Sequence, residues 1–209
     1  MKLFTLCKEN SFHNKAVFFD WTSYVILFLV PAVFGYLWEI FLYLFCYHTF
    51  CNRGFTYGPW LTVYGLGGCF FYILLYRHTA NKLFCFFTCA FIGSALELFV
   101  GLLTLYFLGY RYWDYSHLIL NFEGYICFFS SLGFGICGML WVCFLCPKLL
   151  TLWLSVGKYK KRNTFVLLLY LCYIFDFLYS LYNPNQGKGI SYHAWTEVFL
   201  HHSISLFAV

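Results

Sequence analysis

Charged residues are scarce in this 209-residue chain. Only 10% of the residues are charged, whereas 62% are hydrophobic. A soluble domain of this length needs a larger share of charged residues to cover its surface. The scarcity excludes an ordinary soluble globular protein, and it predicts an integral membrane protein.

The sequence also lacks the motifs of several common chemistries. Neither Gly157-Lys158 nor Gly187-Lys188-Gly189 belongs to the GxxxxGK[ST] pattern that binds nucleotide phosphates, so the chain cannot draw energy from ATP alone. The spacing Cys143-x-x-Cys146 is that of metal ligands, but no second pair accompanies it. Most of the eleven cysteines lie in apolar runs, where they should pack as small apolar side chains. We expect no metal, no cofactor and no nucleic-acid partner.

Long apolar runs predict an all-α bundle of five transmembrane helices within residues 21–182. Their predicted bounds are 24–47, 60–76, 83–108, 124–146 and 164–182. The first run is too long for the core of a signal peptide, so it should remain in the mature protein. Residues 1–20 form an N-terminal segment, and residues 183–209 form a tail that could lie on the membrane as an amphipathic helix.

The basic residues predict the orientation of the bundle. With the N-terminus in the cytoplasm, ten of the 13 basic residues fall on the cytoplasmic side. These ten are Lys2, Lys8, Lys15, Arg77, Lys82, Lys148, Lys158, Lys160, Lys161 and Arg162. The glycine-containing turn at 52–59 and the tail then face the exterior of the cell. The basic connector 147–163 should rest on anionic lipid or receive a separate ATPase subunit.

A short pattern recurs along the chain: a glycine and a glutamate four residues later are followed by an arginine and a tyrosine. It occurs as Gly35, Glu39, Arg53 and Tyr57, and fifty-eight positions later as Gly93, Glu97, Arg111 and Tyr115. The pattern predicts two parallel two-helix repeats, related by an axis along the membrane normal, plus one further helix. The two glutamates would then face each other at similar depth.

Three acidic residues, Glu39, Glu97 and Asp176, lie within the apolar runs. A charge at the bilayer centre costs about 2.5 to 3.5 kcal/mol on insertion scales, so such residues usually have a function. A carboxylate beside an arginine should stay ionised, and one without a cation should take up a proton. The alternative is that these acids only form hydrogen bonds between helices.

The candidate site therefore has two groups of residues. The groups expected to contact an ion or substrate are Glu39, Glu97, Asp176, Asp114 and Glu123. The groups expected to pair charges or to hold the structure are Asn52, Arg53, Arg111 and Asn121. We expect the aromatic connector around Trp113, with Tyr112 and Tyr115, to act as an anchor at the outer surface.

Several of these motifs together resemble a known family. They are Asn52-Arg53-Gly54-Phe55 with Tyr57-Gly58-Pro59, Leu96-Glu97, and Trp113-Asp114-Tyr115-Ser116 followed by Asn121 and Gly124. The chain resembles the CmpB-like family of small bacterial integral membrane proteins, which carries the ABC-transporter type IV label. It departs from the family pattern at Thr62, where proline is expected, at Glu123, where a neutral amide is expected, and at Tyr125, where arginine is expected. The resemblance implies a role in transport with a separate ATPase as a partner.

Three functions remain open from the sequence. The first is a permease-like or transport-related subunit that uses the acidic and arginine residues. The second is a non-catalytic scaffold or sensor in the lipid bilayer. A homo-oligomer is compatible with either function. The third is an enzyme acting on lipid or wall precursor through Asp114, Ser116 and His117, and we favour a non-enzyme over it.

Overall fold

The described part of the chain consists of helices and their connectors. The computed structural model describes residues 21–155 and 160–185. Its helices are α1 (Trp21–Tyr47), α2 (Thr62–Leu75), α3 (Lys82–Leu108), α4 (Phe128–Leu140), α5 (Cys146–Ser155) and α6 (Lys160–Tyr182). A π-helical turn, Trp141–Leu145, joins α4 to α5, so that one rod runs from Phe128 to Ser155. The predicted all-α bundle of five rods is confirmed, whereas the predicted segment 1–20 and residues 186–209 of the tail lie outside the described residues.

Four of the five rods are long and apolar enough to cross a membrane: α1, α3, the α4–α5 rod and α6. The exception is α2, which has 14 residues and is therefore about 21 Å long. The hydrocarbon core of a bilayer is about 30 Å thick. For α2 to cross a bilayer, part of a connector beside it would have to lie at membrane depth, where backbone groups need partners within the protein.

Local sequence sets the ends of α3. The side chain of Asn81 accepts a hydrogen bond from the Phe84 amide at 3.0 Å, which caps the first turn. Gly109 ends the helix in the left-handed region at a φ of 75°, where a side chain would be strained. These two residues explain why the predicted bounds, 83–108, differ from the observed ones by a single residue.

The fourth rod differs from the prediction of 124–146 at both ends. It begins later because Glu123 and Gly124 have φ angles of 47° and 72°, which are incompatible with a helix, and because Cys127 caps it with Ser130. It ends later because the helix continues past Pro147 to Ser155. A proline lacks an N–H and normally interrupts the hydrogen bonds of a helix. The wider π-helical turn ends at Leu145, two positions before this proline, and accommodates it.

The extent of α5 corrects the prediction of a basic connector at 147–163. Residues 147–155 belong to α5, and α6 begins at Lys160. Arg162 is buried, with its guanidinium over the ring of Trp153 at 4.9 Å. Most of the predicted connector is therefore helical, and its residues 156–159 lie outside the described part of the chain.

The helix pair α1–α2 and the pair α3–α4 share the same packing. In each pair three residues of the first helix meet glycine or aromatic positions of the second helix. The contacts of the first pair are Phe28 with Gly65, Pro31 with Gly68, and Gly35 with Tyr64. Those of the second are Phe86 with Gly135, Cys89 with Gly138, and Gly93 with Phe134. The contact residues of α1 and α3 are 58 positions apart, as in the sequence repeat, and those of α2 and α4 are 70 positions apart. The repeat therefore extends to the packing of the helices.

Cysteines pack in this core as apolar residues. Cys85 and Cys89 of α3 are fully buried against Phe71, Leu75 and Val142. No group of three or more histidine, cysteine or acidic side chains that could hold a metal ion occurs among residues 21–155 and 160–185.

Substituting the glycines at these contacts tests the repeated packing. A Cβ at Gly93 would lie 2.6 Å from the Cβ of Phe134, and one at Gly138 would lie 2.6 Å from the Cβ of Cys89. We expect Gly93→Ala and Gly138→Ala each to lower the free energy of unfolding by about 1 to 3 kcal/mol, because the helices must separate. Thermal unfolding of the purified protein in detergent measures this.

The matched controls are Gly67→Ala and Gly133→Ala, because no atom lies within 4 Å of a Cβ at either position. Alanine favours a helix over glycine, so these variants should be neutral or slightly more stable. Equal destabilisation by all four substitutions would contradict the packing described.

Candidate functional site

Glu39 and Arg53 form an ion pair between α1 and the connector at 48–61. The Arg53 Nε donates to Glu39 Oε2 at 3.1 Å, and the side chains are only 11% and 25% exposed. The Tyr64 hydroxyl of α2 donates to the other oxygen, Oε1, at 3.2 Å. Arg53 also donates through Nη2 to the Tyr112 carbonyl at 3.5 Å, which links it to the second connector at 109–127. The predicted pairing of Arg53 with an acidic residue of a membrane helix is therefore present.

Glu97 of α3 is in a different situation. It is 7% exposed, and the Tyr115 hydroxyl donates to its Oε1 at 2.9 Å. Its second oxygen, Oε2, is buried and has no hydrogen-bond partner among the described residues. Glu97 is therefore a buried carboxyl group that is only partly satisfied.

Tyr115 connects the two glutamates. Burial raises the pKa of its phenol well above the usual value, and the nearby carboxylates of Glu97 and Glu39 raise that pKa further. Tyr115 therefore stays protonated and acts as a donor. The facing of Glu39 and Glu97 at similar depth stays a prediction. We call Glu39, Arg53, Tyr64, Glu97 and Tyr115 the glutamate cluster.

Asp176 of α6 holds the backbone of the first connector. Its carboxylate accepts hydrogen bonds from the Tyr57 amide at 3.1 Å, the Gly58 amide at 2.8 Å and the Trp60 Nε1 at 2.6 Å. These donors belong to the segment before the short helix α2, where backbone groups need partners inside the protein. The observed contacts of Asp176 thus give it a structural role.

Asn185 completes this arrangement from the end of α6. Its side-chain amide lies 3.1 to 3.2 Å from the carbonyl oxygens of Asn52, Gly54 and Thr56. Its carbonyl accepts a hydrogen bond from the Tyr112 hydroxyl at 3.0 Å. We call the contacts made by Asp176 and Asn185 the α6 clamp. They fix both connectors, and therefore Arg53, at the same end of the bundle.

Asn52 links α1 to the first connector. Its Oδ1 accepts a hydrogen bond from the Tyr36 hydroxyl at 2.9 Å, and its Nδ2 donates to the Tyr57 carbonyl at 3.0 Å. Asn52 thereby joins α1 to the turn that the α6 clamp holds.

Asp114 and Asn121 shape the second connector. The carboxylate of Asp114, which is 3% exposed, accepts a hydrogen bond from the Ser116 amide at 2.9 Å, as in an Asx-turn. Asn121 donates to the carbonyls of Ser116 and Leu118 and accepts from the Gly124 amide at 3.1 Å. A Cβ at Gly124 would clash with the Asp114 carboxylate. These contacts are typical of a folded loop.

Arg111 differs from its repeat counterpart Arg53. Its Nη1 donates to the main-chain carbonyl of Glu123 at 2.7 Å, and its guanidinium lies 3.7 Å from the centre of the Tyr125 ring. The side chain of Glu123 is exposed, and its backbone has the left-handed φ described above. Tyr125, which stands where the resemblance led us to expect arginine, is thus the ring on which Arg111 rests.

The hydroxyl donors of the site, Tyr112 and Tyr115, were not predicted from the sequence. Tyr112 and Tyr115 were expected to anchor the protein at the surface, but their hydroxyls donate to Asn185 and Glu97 inside the bundle. The recurrence of the tyrosine in the 58-residue repeat was an available signal for Tyr115. No pattern in the sequence pointed to Asn185, which contacts residues more than a hundred positions earlier in the chain.

Removing Arg53 tests the ion pair. Arg53→Ala leaves the carboxylate of Glu39 without its cation, and we expect the free energy of unfolding to fall by about 3 kcal/mol. The double variant Arg53→Ala/Glu39→Gln should recover part of this loss, because no charge remains unpaired. Unfolding in detergent gives all values.

The control is Arg77→Ala, because Arg77 is exposed and lies over the Tyr76 ring. Its effect should stay within about 0.5 kcal/mol. A loss in Arg53→Ala no larger than in Arg77→Ala would show that the pair does not stabilise the fold.

A comparison with known proteins identifies the family of the chain. Residues 26–181, about three quarters of the chain, match the model of the family described as "Putative ABC-transporter type IV". No curated protein and no solved structure matches the chain. The matched range contains the whole glutamate cluster and Asp176. The chain therefore belongs to this ABC-transporter-related family of membrane proteins.

Proposed function

We propose that this protein is a permease-like, membrane-spanning subunit of a transport system in the bacterial plasma membrane, and that Glu97 contacts the transported ion or substrate. The observation that carries the proposal is the buried Oε2 of Glu97, which has no partner among the residues the structure describes. Membership of an ABC-transporter-related family supports the transport role in general terms.

The balance of charge within the glutamate cluster supports this role for Glu97. The cluster has two carboxyl groups, Glu39 and Glu97, and one guanidinium, that of Arg53, which binds Glu39 directly. Full ionisation would leave one negative charge in a medium of low dielectric, which is unfavourable. A proton on Glu97 removes this charge, and a cation can take the place of the proton. Glu97 is therefore the group at which a charge can be exchanged.

The other acidic candidates are less suited to exchange. Glu39 is occupied by Arg53 and Tyr64, and Asp176 accepts three hydrogen bonds. Charge-assisted hydrogen bonds of this kind hold a carboxylate in position. We therefore assign Glu39 and Asp176 to the scaffold of the site and Glu97 to its activity.

Energy for active transport would come from a separate ATPase, because the sequence contains no P-loop. On the basis of the basic residues, the start of α6 lies on the cytoplasmic side, where this ATPase would bind. This partner remains part of the proposal, and so does the homo-oligomer.

The second candidate function is a non-catalytic scaffold or sensor. It is favoured by the hydrogen bonds through which acidic side chains hold the connectors, above all those of Asp176 in the α6 clamp. A scaffold does not require Glu97 to change its charge. The two functions therefore differ in what a neutral side chain at position 97 would do.

Glu97→Gln is the substitution that separates them. Glutamine keeps the size of the side chain but cannot carry a charge or exchange a proton. With the protein in liposomes on a solid-supported membrane, we expect transient currents after jumps in pH, Na⁺, K⁺ or a mixture of small amines. In Glu97→Gln these currents should fall to the level of empty liposomes, while the yield of folded protein stays normal.

Glu39→Gln is the matched control, because it removes the partner of Arg53. We expect it to lower thermal stability, unlike Glu97→Gln. Currents in Glu97→Gln equal to those of the wild type would refute the role of Glu97 in transport. Loss of folded Glu97→Gln protein would instead favour a purely structural glutamate.

A further inference from the structure

Cys85 of α3 and Cys143 of the π-helical turn lie side by side where α3 begins. The Cys85 Sγ donates a hydrogen bond to the His78 carbonyl at 3.4 Å. The Cys143 Sγ donates one to the Thr79 carbonyl, the next along the chain, at 3.7 Å. Because both thiols contact consecutive carbonyls of the turn between α2 and α3, they are neighbours, and they are within hydrogen-bonding reach of each other.

The packing of α3 against the fourth rod explains this approach. Cys89 of α3 packs against Gly138 of α4, with 2.6 Å between its Cβ and a Cβ placed on the glycine. One turn towards the start of α3, Cys85 packs in a core cluster with Val142 of the rod. The rod is π-helical at this point, and a π-helical turn contains about one residue more than an α-helical turn. The additional residue accounts for the position of Cys143 at the edge of the same cluster.

The two thiols differ in their accessibility. Cys85 is fully buried, whereas Cys143 is half-buried. The Phe144 ring, next to Cys143 in the chain, lies under the Nζ of Lys82 at 5.1 Å, which is a second contact between the π-helical turn and the start of α3. The pair therefore has one sulfur that a small oxidant can reach and a second sulfur held beside it in the core. Redox-sensing cysteines are accessible and often lie next to such a resolving cysteine.

We propose that Cys85 and Cys143 form a redox modification site, at which a hydroperoxide converts the two thiols to a disulfide. The basic residues place the start of α3 on the cytoplasmic side. Because the cytosol keeps thiols reduced, the pair is a dithiol at rest, and the disulfide forms under oxidising conditions. Cys85 is twelve residues, or about 18 Å along α3, from Glu97, so the proposal does not depend on the proposed function.

The reaction has two steps, and the hydroperoxide is the oxidant. The Cys143 sulfur attacks an oxygen of the hydroperoxide, so that an S–O bond forms and the O–O bond breaks. The thiol proton leaves with the departing oxygen as water or an alcohol, and Cys143 becomes a sulfenic acid. The Cys85 sulfur then attacks the Cys143 sulfur, so that the S–S bond forms and the S–O bond breaks. The second thiol proton leaves in water, and the two electrons lost by the thiols have reduced the hydroperoxide.

Oxidation of the purified full chain in detergent tests the proposal. The protein is treated with hydrogen peroxide, the remaining thiols are blocked with N-ethylmaleimide, and linked peptides are identified by mass spectrometry. We expect a disulfide between Cys85 and Cys143 that dithiothreitol reverses. Since the link closes a loop that contains the second connector, oxidation should also raise the unfolding temperature, by about 5 to 15 °C.

Three variants assign the effect to the two thiols. Cys143→Ser should lose both the disulfide and the rise in unfolding temperature. Cys143→Ser/Leu145→Cys returns a thiol two positions further on, at an exposed side chain, and should not form the link with Cys85. The matched control is Cys172→Ser, which removes an exposed cysteine of α6 and should behave as the wild type does.

Several results would overturn the proposal. The first is no disulfide in the oxidised wild type, and the second is a disulfide that joins Cys143 to Cys89 in place of Cys85. The third is a link to Cys85 that forms equally well from a thiol at position 145, because the position of the thiol would then not matter. A disulfide that lowers the unfolding temperature would show that the two thiols are not neighbours in the folded protein.

Discussion

The ion pair between Glu39 and Arg53 is the interaction on which the arrangement of the site depends. A carboxylate within an apolar helix is stable only with a partner, and Arg53 is supplied by a connector that must itself be held in place. The α6 clamp holds that connector through Asp176 and Asn185. The pair and the clamp therefore tie α1, both connectors and α6 together at one end of the bundle.

The α1–α2 pair and the α3–α4 pair have similar helix packing but different contacts of their charged residues. The contacts between glycine and aromatic or other side chains recur from α1–α2 to α3–α4, so both helix pairs have similar packing. The equivalent charges, however, have different contacts. Arg53 binds the glutamate of its own half, whereas Arg111 rests on the Tyr125 ring and donates to a main-chain carbonyl. The described residues give Glu39 an ion-pair partner and give Glu97 none, and this difference is the basis of our proposal that Glu97 is the exchangeable glutamate.

Much of this could be predicted from the sequence, and the exceptions have physical causes. The helices follow from apolar runs, and the pairing of Arg53 with an intramembrane acid follows from the need to neutralise a buried charge. The fourth rod was misplaced because hydropathy does not detect the left-handed backbone at Glu123 and Gly124 or the π-helical turn before Pro147. Asp176 resembled an ion ligand because composition cannot show that its partners are backbone amides 118 and 119 positions away in the chain. The roles of Tyr64, Tyr115 and Asn185 depend on tertiary contacts in the same way.

The central claim is that Glu97 exchanges its charge while Glu39 keeps it. Dicyclohexylcarbodiimide, which reacts with protonated carboxyl groups in apolar surroundings, tests this most directly when labelled peptides are identified by mass spectrometry. The account predicts modification of Glu97 at neutral pH, with Glu39 protected by Arg53. Modification of Glu39 in preference to Glu97, or equal modification of both, would contradict it.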